Sequence, residues 1–142
     1  MKKSTLRLAL QFEFDLLGLV APVKDYKMAW LINNILGIKL VKTHDYRLEF
    51  LNQPNLIISQ YIVKKEHGFI QLLRNRSYSN AGLVGYLIPE LKYMDFFLVL
   101  QDFTFDVDIN SYIEDLSGHG QIQNVVKLDI SKLKSKENLL TY

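Results

Sequence analysis

The chain contains no cysteine. Disulfides, thiolate metal ligands and cysteine nucleophiles are therefore excluded, and the composition suits a reducing compartment, so the expected location is the cytoplasm. Long apolar runs are missing too: none approaches the ~18 residues that a membrane-spanning helix needs. The opening segment "MKKSTLRLALQFEFDLL" begins with two lysines, as a secretory leader does. Arg7, Gln11, Glu13 and Asp15 interrupt its apolar residues, so it reads as structure. Charge of one sign is scarce: Lys and Arg number 17 against 15 Asp and Glu, and a net +2 is too small to argue by itself for a nucleic-acid partner. No G-x-S-x-G, P-loop or G-x-G-x-x-G occurs, which leaves nucleophile elbows and nucleotide cradles without support. Internal repeats, linkers and low-complexity tracts are also lacking.

What the chain does have is material for a core. With 49% hydrophobic and 12% aromatic residues among 142, it is long and apolar enough for a single globular domain, residues 1–142, in which 131–142 is expected to form a less ordered basic tail. In "TLRLALQFEFD", Leu6, Leu8, Leu10, Phe12 and Phe14 alternate with Thr5, Arg7, Ala9, Gln11 and Glu13, the period of a strand covered on one face. "VKDYKMAWLINNILG" has helical spacing, with Met28, Ala29, Leu31, Ile32, Ile35 and Leu36 on one arc and Gly37 as C-cap. Tyr26 and Trp30 fall outside that arc, among Lys27, Asn33 and Asn34. "IKLVKTHDYRLEF" alternates as one long strand or two short ones. "LIISQYIVKKE" and "FIQLLRNRS" read as an antiparallel pair turning at His67 and Gly68, where glycine supplies a positive φ. After the irregular "SYSNAGLVGY", the segment "YMDFFLVLQ" is apolar on both alternating faces and reads as a central strand covered twice. "DVDINSYIEDLSG" is a short helix capped by Asp106 or Asp108 and ended by Gly118, and "IQNVVKLDI" is a last strand. Hairpin order without βαβ repetition predicts an α+β fold, a mostly antiparallel sheet of about six or seven strands with two helices packed on it.

The string "IPELKYMDF", Ile88 to Phe96, resembles the signature of the bacterial IPExxxVDY family, with Met94, Asp95 and Phe96 standing where the name has valine, aspartate and tyrosine. The segments "KDYKMAWLINNILG", "LLRNRS" and "LKSKENLL" are similar to that family as well, so the likeness covers most of the chain. Phe96 lacks the phenol hydroxyl of the named motif. The resemblance implies a bacterial protein sharing the family's fold, and it transfers no activity, because the family is defined by its motif alone.

Pro89 fixes its own φ and pushes Ile88 into an extended conformation, so Ile88-Pro89-Glu90 is expected to turn the chain before a strand, with Glu90 and Asp95 near the strand entrance. Burying an unpaired carboxylate is costly, so Asp95 is expected to accept backbone N–H groups or to meet Arg74 or Arg76. The alternative is a rim pocket in which Glu90 and Asp95 hold a cation or polar ligand. Asp106, Asp108 and Asn110 have the spacing of the first three ligands of a calcium loop. Ser111 replaces its required glycine and Ser117 its bidentate glutamate, so helix capping is the expected role. His44, His67 and His119 lie in separate segments, and no histidine metal site is indicated. Asp115, Ser117 and His119 are the residue types of a hydrolase triad, yet neighbours in one turn lack the geometry. No catalytic residue, metal or cofactor is expected.

Three functions follow from these readings. The first is a non-enzymatic protein-interaction module, self-associating as a homodimer, with Tyr26 and Trp30 at the edge of the interface; the competing reading covers the pair within the chain. The second is an RNA-associated accessory protein using Arg74, Arg76, Tyr78 and the tail lysines Lys132, Lys134 and Lys136, whose bland counterpart is a solvated basic face. The third is the small-ligand pocket near Glu90 and Asp95.

Overall fold

A computed structural model describes residues 14–50, 55–78, 85–102 and 107–139. The strands in these segments are β1 (Asp15–Val20), β2 (Val41–Lys42), β3 (Tyr46–Leu48), β4 (Leu56–Ile58), β5 (Gln60–Lys65), β6 (Gly68–Arg74), β7 (Phe96–Asp102) and β8 (Asn124–Leu128); the helices are α1 (Asp25–Leu36) and α2 (Ile109–Ser117). Six strands form one sheet in the order β2-β5-β6-β7-β1-β8, and β3 and β4 form a separate two-stranded ribbon. Every pairing is antiparallel. The fold is α+β, as the hairpin order predicts.

β7 explains why the sheet needs cover on both sides. Phe96, Leu98 and Leu100 join one core cluster with Leu17, Leu19, Ile70 and Leu72 of neighbouring strands, against Met28, Ala29 and Ile32 of α1 and Leu116 of α2. Phe97 and Val99 join a second cluster with Leu16 and Leu73, against Leu56 and Ile58 of the ribbon and Leu133 and Leu139 of the tail. Alternation along a strand sends these two sets to opposite faces, so the molecule has three layers: helices, sheet, and a layer of ribbon, motif turn and tail. Residues 130–139 contribute two 3₁₀ turns, Ile130–Lys132 and Lys136–Leu139, to that third layer.

The first strand departs from the alternation signal. Most of the predicted strand at residues 5–15 lies outside the described residues. The described strand is "DLLGLV", which the pattern passed over because it is apolar without alternation. Its position between β7 and β8 supplies the reason, since both its faces are covered. A Cβ on Gly18 would fall 2.8 Å from the Met94 sulfur, so the glycine leaves the space that Met94 fills.

Two segments divide: one resolves the open choice between one strand and two, and the other breaks where the period suggested continuity. Residues 38–50 give two short strands: β2 pairs with β5 at the sheet edge, and β3 pairs with β4 in the ribbon. "LIISQYIVKKE" breaks at Ser59, where the chain crosses from ribbon to sheet. The Ser59 hydroxyl donates to the Asp25 carboxylate, and its carbonyl accepts the Arg74 N–H at 3.1 Å. The following hairpin pairs Lys65 with Gly68, so its two turn residues are Glu66 and His67 instead of His67 and Gly68. Glycine is still required at 68, because at φ 154° a Cβ would lie 1.9 Å from the Gln101 carbonyl oxygen on β7.

The helices follow their capping signals. Gly37 ends α1 at φ 66°, and its N–H returns to the Asn33 carbonyl. Asp108 is the N-cap of α2, accepting the N–H groups of Asn110 and Ser111. Asp106, the other cap candidate, lies outside the described residues.

Candidate functional site

The motif segment has no ladder of its own. Ile88 is extended, with φ −120° and ψ 89°, and Pro89–Leu91 forms a single 3₁₀ turn. Such a turn leaves backbone groups without strand partners, and those of Ile88 and Met94, which flank it, are buried, so they must be satisfied from elsewhere. Asn75, just beyond β6 and 0% exposed, satisfies them. Its side-chain NH₂ donates to the Leu91 carbonyl at 2.8 Å and the Met94 carbonyl at 3.0 Å. Its side-chain oxygen accepts the Ile88 N–H at 2.9 Å. Its own N–H reaches the Asp95 carbonyl at 2.9 Å, and its carbonyl takes the Leu87 N–H at 2.7 Å. Only a neutral amide both donates twice and accepts in this way.

The two motif carboxylates then reach outward in different directions. Asp95 turns to β1: its Oδ2 accepts the Ala21 N–H at 2.8 Å, and its N–H donates to the Leu19 carbonyl at 2.8 Å. Burial pushes the Asp95 carboxyl above its ordinary range, against the opposing pull of the Ala21 N–H and the Arg74 charge. Glu90 turns to the tail, accepting the Ser135 N–H and the Ser135 hydroxyl, each at 2.8 Å. Burial pushes its carboxyl up, but hydrogen bonds from backbone N–H groups and the Ser135 hydroxyl outweigh that and hold it below the ordinary range. A third tie joins the Asn138 side-chain NH₂ to the Leu87 carbonyl at 2.8 Å. Ile88 is buried with the second cluster, while Pro89 is exposed.

Glu90 and Asp95 therefore do not converge on one pocket. A groove of about 940 Å³ does open beside the motif, between the ribbon, Ser77–Tyr78, Gly85–Tyr86 and the tail, and Pro89 and Lys92 line it; neither carboxylate does. The residues expected to contact nucleic acid also separate. Tyr78 and the tail residue Lys134 line the groove, whereas Arg74 and Arg76 are not among its walls. Arg74 lies half-buried at the end of β6, and Arg76 is exposed and bridges to Tyr86. Tyr26 and Trp30 are 62% and 57% exposed on the helical layer. His119 uses Nδ1 to accept the Gln121 N–H at 3.1 Å, a turn contact. Among the described residues no group of three or more His, Asp and Glu side chains is placed to hold a metal ion.

The sequence reading passed over Asn75 because it weighed only the flanking arginines of "LLRNRS". The available signal was indirect: a 3₁₀ turn inside an apolar motif needs a partner that both donates and accepts, and an amide at a strand end is the economical source. Compared with protein-family models, curated proteins and solved structures, the chain matches none.

Two predictions test the clamp. Asn75→Ala should lower stability by about 2 to 4 kcal/mol, because the buried Met94 carbonyl and Ile88 N–H lose their partner; Asn75→Asp should be at least as damaging, since an oxygen then faces the Leu91 and Met94 carbonyls. Urea melts of both variants measure this, and an Asp variant as stable as wild type would remove the donor role. For Asp95, removal to Ala should cost about 1 to 3 kcal/mol. Because its carboxyl is raised in the fold, the native state favours the protonated form. The wild type should therefore gain stability relative to Asp95→Asn as pH falls through the range just above and around 4, and lose that gain as pH rises. Paired melts at pH 7 and pH 4 report the difference.

Proposed function

We propose that the protein is a non-enzymatic protein-interaction module that self-associates as a homodimer through the outer face of α1. The observation that carries this is the exposure of Tyr26 and Trp30, 62% and 57%, one helical turn apart on a helix whose opposite face is core. Lys27 Nζ stands 4.6 Å from the centre of the Trp30 ring, a cation–π contact. The Asn34 side-chain NH₂ donates to the Trp30 carbonyl at 2.7 Å, leaving an amide at the edge of the aromatic pair. A large flat ring with polar neighbours has the anatomy of an interface anchor with a hydrated rim. A two-fold axis through this face would set each Trp30 against the partner's α1, the self-complementary arrangement of most small homodimers.

The proposal extends to membership of the bacterial IPExxxVDY family, supported by Ile88, Pro89, Glu90 and Asp95 at their motif positions, and to a cytoplasmic location, supported by the absence of cysteine. No helix among the described residues is long and apolar enough to cross a membrane.

Trp30 is the chain's one tryptophan, so it reports on the interface directly. On dilution its emission should move to the red as sedimentation changes from dimer to monomer. Trp30→Glu should stay folded, because the side chain is largely exposed, and should weaken the dimer by about 2 kcal/mol or more. Emission that does not depend on concentration, with a monomer at every concentration, would overturn the reading.

A further inference from the structure

The groove beside the motif lies on the side of the sheet opposite α1. Two of its lining residues pack tightly: Gly85 comes so close to Leu56 that a Cβ would fall 2.3 Å from Leu56 Cδ2. Its walls carry three cations, Arg47, Lys92 and Lys134, against two acids, Glu49 and Glu137. The salt bridges Lys42–Asp45, His67–Glu66 and Lys127–Asp15 lie elsewhere, so among the described residues none of these five charges is held in an ion pair. All three cations are exposed. Two tyrosines share the walls. Tyr78 is 43% exposed, and Lys92 Nζ stands 5.8 Å from the centre of the Tyr86 ring.

The backbone that carries Tyr78 into the groove is paired on both sides. Tyr78 N–H bonds the Ile57 carbonyl at 3.0 Å, and Ser77 N–H bonds the Gly85 carbonyl at 2.8 Å. The cations come from three separate elements: the ribbon, the motif turn and the tail. Glu90 fixes the last of these by clamping Ser135, the residue after Lys134. An exposed aromatic ring in the same groove as exposed cations is the combination that takes a base on the ring and its phosphate on the ammonium or guanidinium groups. An acidic peptide would use the charges and leave the rings without a role.

We infer that this groove binds phosphate-bearing nucleobases, with Tyr78 as the stacking platform and Arg47, Lys92 and Lys134 as the phosphate contacts. The unit comes either from a single-stranded RNA or from a free nucleotide. A volume of about 940 Å³ is enough for such a unit.

Fluorescence anisotropy with a labelled decauridylate tests the assignment, with unlabelled UMP and a polyglutamate of equal length as competitors. Binding should weaken as salt rises. Tyr78→Ala should weaken it by roughly tenfold without changing the salt slope, because stacking releases no counterions. Replacing Arg47, Lys92 and Lys134 together by Ala should flatten the slope by about 2. Replacing Lys64 and Lys65, exposed residues away from the groove, should leave both quantities unchanged. A decamer much tighter than UMP identifies a strand as the ligand, and UMP that displaces it at comparable concentration identifies a free nucleotide; either supports the site. The inference fails if neither probe binds, if Tyr78→Ala binds as wild type does, if the Lys64 and Lys65 variant loses as much as the groove variant, or if polyglutamate competes equally well.

Discussion

Asn75 is buried beside a turn whose backbone groups have no ladder, and its one amide completes bonds to Ile88, Leu91 and Met94. With that turn fixed, Asp95 falls at the end of β1 and Glu90 falls beside the tail. The sheet and the third layer are thereby tied together at this irregular segment. An unpaired buried carbonyl or N–H costs more than a made bond gains, so the arrangement is intolerant of partial loss. This accounts for a segment made of a proline, two carboxylates and apolar residues: the proline shapes the turn, the apolar residues anchor it, and the carboxylates tie it to segments distant in sequence.

Met94 and Phe96, at the end of the same segment, fit that geometry. Met94 extends over Gly18, where its flexible thioether fills the gap left by a missing side chain. Phe96 is 1% exposed within the helix-side cluster, against aliphatic residues such as Leu19 and Ile32. A tyrosine there would need a partner for its hydroxyl. Phenylalanine removes that requirement, and the ring keeps its packing.

Local signals were sufficient wherever an element's environment is set by its own neighbours. The arc of α1, the Gly37 and Asp108 caps and the doubly apolar β7 were all legible, because period and capping depend on residues a few positions apart. The break at Ser59 was not, since it depends on Asp25 and Arg74, which are far away in sequence. The split of residues 38–50 likewise reflects two partners, β5 and β4, that no alternation distinguishes. Leu133 and Leu139 were visible as leucines in a basic tail, but their burial depends on Leu16, Phe97 and Val99 across the sheet. The groove was legible only as scattered residue types: Tyr78 and Lys134 were noted for their chemistry, while Arg47, Lys92 and Tyr86 become neighbours only through the ribbon and the turn.

The place of β1 between β7 and β8 has a consequence during synthesis on the ribosome. Both partners lie far downstream, and the nearer one begins at Phe96, 76 positions after Val20. At about 5–20 residues per second, the apolar strand "LLGLV" spends roughly 4–15 s without either neighbour. The hairpin of β5 and β6 can close first, since its pairing is local, whereas the sheet acquires its interior only when late segments thread the early strand between them. During that interval the nascent chain presents the surface that holdase chaperones recognise, so the rate of translation through residues 20–128 bears directly on how much of the protein reaches the folded state.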